Sequence, residues 1–72
     1  MGNELRNRLK VLRAEHDLTQ AQLAEKIGVT RKTINTIERG VFVPSTVLSL
    51  KLARLFGVPV EEIFELAGEK DE

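Results

Sequence analysis

The sequence predicts an all-α fold, a compact domain of five short helices. Its 72 residues are about half the usual length of one domain, so the chain holds a single domain. Gly and Pro interrupt it at intervals that leave room only for short helices, and apolar residues recur between them at helical spacing. Apolar residues make up 42% and charged residues 31%, a composition typical of globular rather than disordered chains.

The first predicted helix begins within the first few residues and ends near Asp17. Three leucines at spacings of i, i+4 and i+7 give this helix one apolar face: Leu5, Leu9 and Leu12. Asn3 and Asn7 are both suitable N-cap residues, because their side chains can accept hydrogen bonds from free amides of a first turn. The sequence therefore leaves the start of this helix open.

The second helix begins at a capping box. The Thr19 hydroxyl can accept a hydrogen bond from the amide of Gln22, while the Gln22 side chain reaches back to the amide of Thr19. Gly28 ends the helix, since glycine adopts the positive φ that a helix terminus requires. The inward face consists of Leu23, Ala24 and Ile27.

Three further helices are predicted after this turn. The third is capped by Thr30 and stops at Gly40, with Ile34 and Ile37 facing inward. The fourth starts after Ser45, and its apolar residues cover more than one stripe, which predicts a central position. These residues are Val47, Leu48, Leu50, Leu52, Ala53, Leu55 and Phe56. The fifth begins near Pro59. Residues 64–66 either continue this helix or form a short strand.

Residues 19–40 have the spacing of a helix-turn-helix, in which two short helices meet across a glycine turn. With this motif, the chain resembles the Cro/CI-type (XRE) helix-turn-helix family of phage and bacterial repressors, in its short stand-alone form. The resemblance covers roughly residues 5–66 and rests on Leu18-Thr19-Gln20, Leu23-Ala24, Ile27-Gly28-Val29, Thr30-Arg31, Ile34, Ile37-Glu38-Arg39-Gly40, Pro44-Ser45, Leu52-Ala53 and Phe56-Gly57-Val58. It implies a phage-repressor-like DNA-binding domain over residues 1–67, whose third helix enters the major groove.

The predicted DNA-reading residues lie on the third helix. Its cationic and polar side is opposite Ile34 and Ile37, and Arg is the common bidentate reader of guanine. We expect base contacts from Arg31, Lys32, Asn35 and Thr36, and phosphate contacts from Gln20, Thr33 and Arg39. Each assignment has an alternative. The outer side of the third helix could be an ordinary solvated face. Gln20 could serve only to start the second helix, and Arg39 could serve only as a favourable charge at the C-terminal end of the helix dipole.

The resemblance predicts one structural contact, and a departure from the family pattern predicts another. Arg13 and Glu38 match a family pair, so we expect a partly buried salt bridge between the first and third helices. The loop after Gly40 departs from the family pattern, because it carries Val41, Phe42 and Val43 in place of basic and polar residues. We expect this loop to pack on the fourth helix; packing on another subunit is the alternative.

The C-terminal end is predicted to form a homodimer interface. Four apolar residues are more than so short an end can hide, and in this family such ends pair between subunits, sometimes as a strand: Val60, Ile63, Phe64 and Leu66. Residues 68–72 are predicted to be a disordered acidic tail that a basic protein partner could bind. Residues 1–60 hold ten basic and five acidic residues, and residues 61–72 hold one basic and six acidic residues, so a basic body precedes an acidic end.

Composition excludes several other classes of function. The chain has no Cys and one His, which removes disulfides and the usual zinc sites, and we expect no metal and no cofactor. No sequence motif of an enzyme, a membrane span, a secretion signal or a small-molecule effector domain is evident, so a cytoplasmic regulator that binds double-stranded DNA is the leading interpretation. A protein-interaction module, such as an antitoxin built on the same fold, is the alternative.

Overall fold

Five helices and two short strands make up residues 5–67, the part of the chain that the computed structural model describes. In chain order they are β1 (Leu5–Asn7), α1 (Leu9–Glu15), α2 (Gln20–Ile27), α3 (Arg31–Glu38), α4 (Thr46–Phe56), α5 (Val60–Ile63) and β2 (Phe64–Leu66). The five-helix architecture predicted from the sequence is confirmed. The predicted tail at residues 68–72 lies outside the described residues.

The helix starts are set by local hydrogen bonds. Thr19 Oγ1 accepts from the Gln22 amide at 3.0 Å, and Gln22 Oε1 accepts from the Thr19 amide at 2.8 Å, so the predicted capping box is present. Thr30 and Ser45 cap α3 and α4 in the same manner, by accepting from the amide three residues further on. Gly28 ends α2 at a φ of +79°, as its role in the turn requires.

The N-terminus differs from the prediction. Leu5 belongs to β1 rather than to α1, which begins at Leu9. Asn7 precedes the helix, and its Oδ1 accepts from the Leu9 amide at 3.0 Å, while its Nδ2 donates to the carbonyl of Ile37 at 2.9 Å. The N-cap position of α1 is Arg8, whose side chain makes no cap hydrogen bond, so the prediction of Asn7 as N-cap is wrong, although Asn7 accepts from the first helical amide from one residue earlier. The other candidate, Asn3, lies outside the described residues.

The two strands, which come from opposite ends of the described chain, pair antiparallel with each other. Leu5 is opposite Leu66 and Asn7 is opposite Phe64. The alternation at residues 64–66 is thus a strand, and its partner is the N-terminus of the same molecule rather than a second subunit. Exposed ion pairs reinforce the pairing, with Arg6 and Glu65 at 3.6 Å and Arg8 and Glu62 at 3.9 Å.

One continuous core lies between the helices and the strand pair. Its buried members are Leu9, Leu12, Leu23, Ala24, Ile27, Ile34, Ile37, Leu48, Leu52, Ala53, Phe56, Ile63 and Phe64. Ile63 and Phe64 are only 1% and 8% exposed, and Val60 is partly buried. The C-terminal dimer surface predicted from the sequence is therefore wrong for Ile63 and Phe64, because Ile63 at the end of α5 and Phe64 at the start of β2 are both buried in this core. Leu66 stays 64% exposed.

α4 and the loop before it are less buried than the sequence predicts. Only one side of α4 faces the core, and Val47 and Leu50 on the other side are 64% and 56% exposed. The loop residues Val41 and Val43 are 66% and 68% exposed, and Phe42 is 46% exposed, so the predicted packing of this run on α4 is wrong. The loop bonds instead to α3, where the Thr36 carbonyl accepts from the amides of residues 41 and 42 at 2.9 and 3.3 Å.

Asp17 provides a test of how local backbone geometry limits stability. It follows α1 at a φ of +57°, where the β-carbon of an L-residue is strained. We expect Asp17→Gly to raise the free energy of unfolding by about 1 kcal/mol, measured by urea denaturation. Asp17→Ala is the matched control, because it removes the same carboxylate and keeps the β-carbon. An Ala variant as stable as the Gly variant would assign the gain to charge instead.

Candidate nucleic-acid interface

The turn between α2 and α3 places the two helices in contact. The Val29 amide donates to the Ala24 carbonyl at 2.9 Å, which folds the chain back directly after Gly28. Leu23 and Ala24 on α2 and Ile34 and Ile37 on α3 are all buried. The small Ala24 side chain lets the helices approach closely, so α3 is fixed on α2 as a helix-turn-helix with its other side turned outward.

Six of the seven residues predicted to bind DNA lie on α3 or at its C-cap, and all six are at least partly exposed. Arg31, Lys32 and Arg39 are exposed, and Thr33, Asn35 and Thr36 are partly exposed. The seventh, Gln20, is the first residue of α2 and lies beside them, since its Oε1 accepts from Arg31 Nη1 at 3.2 Å and its Nε2 donates to Asn35 Oδ1 at 3.3 Å. The fold therefore brings Gln20 from α2 into contact with two of the predicted residues of α3, Arg31 and Asn35.

A nearly buried ion pair joins α1 to the end of α3. Arg13 Nε donates to Glu38 Oε2 at 2.6 Å, and Arg13 Nη2 donates to Glu38 Oε1 at 3.3 Å. The two side chains are only 16% and 6% exposed. Arg13 Nη1 also donates to the Leu18 carbonyl at 2.9 Å, so the guanidinium additionally holds the chain between α1 and α2. The salt bridge predicted between Arg13 and Glu38 is present.

Gln20 connects this ion pair to the outward surface. Its Nε2 donates to Glu38 Oε1 at 3.0 Å, while its Oε1 accepts from Arg31. A continuous chain of hydrogen bonds thus runs from Arg13 through Glu38 and Gln20 to Arg31. Sequence reasoning missed the contact between Gln20 and Glu38, because the two are 18 residues apart and meet only through the packing of α2 on α3.

The threonines of α3 use their hydroxyl groups locally. Thr36 Oγ1 donates to the carbonyls of Lys32 and Thr33, at 3.1 and 3.0 Å. Thr33 Oγ1 lies 3.2 Å from Thr30 Oγ1, within the cap of the helix. The Thr36 hydroxyl therefore donates its proton to the helix backbone, so that its methyl group and an oxygen lone pair remain available for contact with a ligand.

The described part contains no cluster of metal-ligating side chains, and none of its helices is long and apolar enough to cross a membrane.

A family model described as helix-turn-helix matches residues 9–63, most of the chain and all five helices of the fold. The chain belongs to the XRE-type helix-turn-helix family. The family's domain is the DNA-binding part of transcriptional regulators, and so the chain has the DNA-binding fold of a transcriptional regulator.

Three similar proteins illustrate the range of this family. The chain is 52% identical over 60 residues to the uncharacterized HTH-type transcriptional regulator MJ0272 of Methanocaldococcus jannaschii, covering 83% of this chain and 91% of that protein. It is 37% identical over 57 residues to the cryptic phage CTXphi transcriptional repressor RstR of Vibrio cholerae, and the match covers 79% of this chain and 51% of that protein. The crystal structure of the restriction-modification controller protein C.AhdI from Aeromonas hydrophila matches with a TM-score of 0.70 at 36% identity, and the match covers 76% of this chain and 80% of that chain.

The ion pair can be tested by a double-mutant cycle. Arg13→Met and Glu38→Leu should each lower the free energy of unfolding by about 3 kcal/mol, because each leaves an unpaired buried charge. The double variant should lose less than either single variant, since it buries apolar groups alone. Urea denaturation of the four proteins measures this. Additive losses in the double variant would mean that the two charges do not depend on each other.

Proposed function

We propose that this regulator is a sequence-specific repressor that binds a near-palindromic operator as a homodimer, with α3 in the major groove. The observation that carries the proposal is the single outward surface on which α3 and Gln20 gather their cationic and polar side chains. Such a surface suits the phosphates and base edges of duplex DNA. A repressor of this kind acts in the cytoplasm by occupying its operator and not by catalysing a reaction. The name of the similar RstR protein supports the repressor role.

The base-reading group is Arg31, Lys32, Asn35 and Thr36. Arg31 and Lys32 are exposed in the first turn of α3, the end that enters the groove in this class of motif. The hydrogen bond from Arg31 to Gln20 at 3.2 Å restricts the guanidinium before DNA arrives, so that less conformational entropy is lost on binding. Arg31 is then suited to donate two parallel hydrogen bonds to guanine.

The phosphate-binding group is Gln20, Thr33 and Arg39. Gln20 begins α2, where free backbone amides and the helix dipole attract an anion. Arg39 is exposed at the other end of α3, and Thr33 lies on its flank. These three would set the position of α3 in the groove, while the bases are read by the other group.

The proposed homodimer predicts the spacing of the two halves of its operator. In helix-turn-helix dimers the half-sites lie about 34 Å apart, which is one turn of DNA, and we expect the same spacing here. Selection of bound duplexes from a random pool tests the proposal, because it recovers the motif and the spacing of its halves together.

The roles of Arg31 and Arg39 are separable by experiment. Arg31→Ala should cost about 1 to 3 kcal/mol on the selected duplex and relax the choice at one base pair. Arg39→Ala should weaken binding to all duplexes alike. It should also reduce the slope of the logarithm of the binding constant against the logarithm of the salt concentration by about one unit, for one lost phosphate contact. Titrations at several salt concentrations, on selected and random duplexes, measure both. Equal weakening of specific and random DNA by Arg31→Ala would require α3 to dock differently.

Thr36 should read a thymine through its methyl group. Because its hydroxyl proton is bound to the helix backbone, Thr36→Val should keep the affinity for the selected duplex within about twofold. Thr36→Ser, the matched control, keeps the hydroxyl and loses the methyl, and should weaken binding about fivefold at an A·T pair. Loss of binding in the Val variant with retention in the Ser variant would identify the hydroxyl as the reader.

A further inference from the structure

A groove runs between the C-terminal halves of α2 and α4. It is lined by residues 25–28 at the end of α2 and by Lys51, Arg54 and Leu55 of α4, and we call it the α2–α4 groove. Its volume is about 510 Å³, within the usual range of ligand sites in proteins. The groove is therefore large enough to hold a few residues of another chain.

The charged side chains of the α2–α4 groove are mostly cationic. Lys26, Lys51 and Arg54 are all exposed, and Glu25 is the acidic residue beside them. In the described part of the chain, none of these four side chains belongs to an ion pair. Three cations against one carboxylate leave an excess of two positive charges that the described residues do not neutralise.

Helix dipoles explain only part of this charge. Lys26 and Arg54 lie in the last turns of α2 and α4, where a cation is favourable. Lys51 lies in the middle of α4 and has no such role, and it shares one side of the helix with Arg54, three residues further on. Like charges at this spacing repel each other and destabilise a helix. An anionic ligand in the groove would relieve that repulsion.

The position of the groove and its apolar wall indicate which kind of anion it binds. Because successive helical residues are rotated by about 100°, Glu25 and Lys26 lie roughly 140° and 120° around α2 from Gln20. Gln20 contacts α3, so the groove uses the opposite side of α2. Leu55 is partly exposed in the groove wall and offers apolar contact, which suits a peptide side chain better than the phosphates of DNA.

We propose that the α2–α4 groove binds an acidic segment of a partner protein. Carboxylates of that segment pair with Lys26, Lys51 and Arg54, and an apolar side chain of the segment packs on Leu55. This site goes beyond the proposed operator binding, because a partner held there contacts the regulator on a side of α2 other than the one that meets α3. Exposed ion pairs are individually weak, so the affinity is modest and falls as salt is added.

Binding of a synthetic peptide to the full chain tests the groove. The probe is a fluorescent peptide rich in Glu and Leu, and its control has Gln in place of every Glu. Lys51→Glu should weaken binding of the Glu peptide about tenfold, because a repulsion replaces an attraction. Lys10→Glu makes the same change of charge at an exposed position of α1 outside the groove, and its affinity should stay within about twofold of the unchanged protein. Lys51→Glu also removes the repulsion from Arg54, so urea denaturation should show no loss of stability.

Changes in the amide NMR spectrum locate the bound peptide. The proposal expects them at residues 25–28 and 51–55, and it expects no binding of the Gln peptide. Changes confined to α3, or equal weakening by Lys51→Glu and Lys10→Glu, would overturn the proposal, because the groove would not be the site of attraction. Full displacement of the peptide by the selected duplex would also refute it, since the groove would then belong to the DNA-binding surface.

A full-length variant with a neutralised tail examines the remaining occupant, the acidic end of the chain itself. It combines Glu69→Gln, Asp71→Asn and Glu72→Gln. An unchanged affinity for the Glu peptide supports a separate protein partner. Markedly tighter binding would mean that the tail competes for the groove, and it would replace the partner protein by the chain's own end.

Discussion

The carboxylate of Glu38 is the point on which the geometry of this molecule depends. It is almost completely buried, and it accepts hydrogen bonds from Arg13 on α1 and from Gln20 on α2, although it belongs to α3. A buried charge is tolerated only when its partners are in place, so this group permits few relative positions of the three helices. Its role is better described as orientation than as net stabilisation, since buried ion pairs contribute little over apolar packing.

This constraint links the interior to the outward surface. The side chain that completes the ion pair on one side, Gln20, holds Arg31 and Asn35 on the other. Three successive hydrogen bonds therefore connect Arg13 on α1 to the exposed Arg31 on α3. The arrangement also places long polar side chains in defined conformations before any ligand arrives, which reduces the entropy lost on binding.

Charge is unevenly distributed over the surface of the described residues. α3 presents the exposed cations Arg31 and Lys32, and the stretch from Gly40 to Leu50 contains no charged residue. The strand pair carries the exposed ion pair of Arg6 with Glu65, and charged side chains of this kind suit the solvated edge of a sheet.

The local features of the fold and several of its contacts follow from short-range patterns in the sequence. The capping box at Thr19, the turn at Gly28 and the inward position of Ile34 depend on residues a few positions apart, so their patterns are readable from the sequence. The resemblance to the family added the pairing of Arg13 with Glu38. These features are all present in the structure.

The pairings between distant residues, in contrast, depend on how the whole chain packs. Leu5 satisfies a helical spacing, yet it lies in a strand because its partner, Leu66, is at the other end of the chain. The same pairing turns Phe64 into the core and removes it from the surface. Gln20 likewise meets Glu38 only after α2 packs on α3. Periodicity predicts which side of a helix or strand is apolar. Which segment covers that side depends on the packing of the whole chain, which can override local propensity.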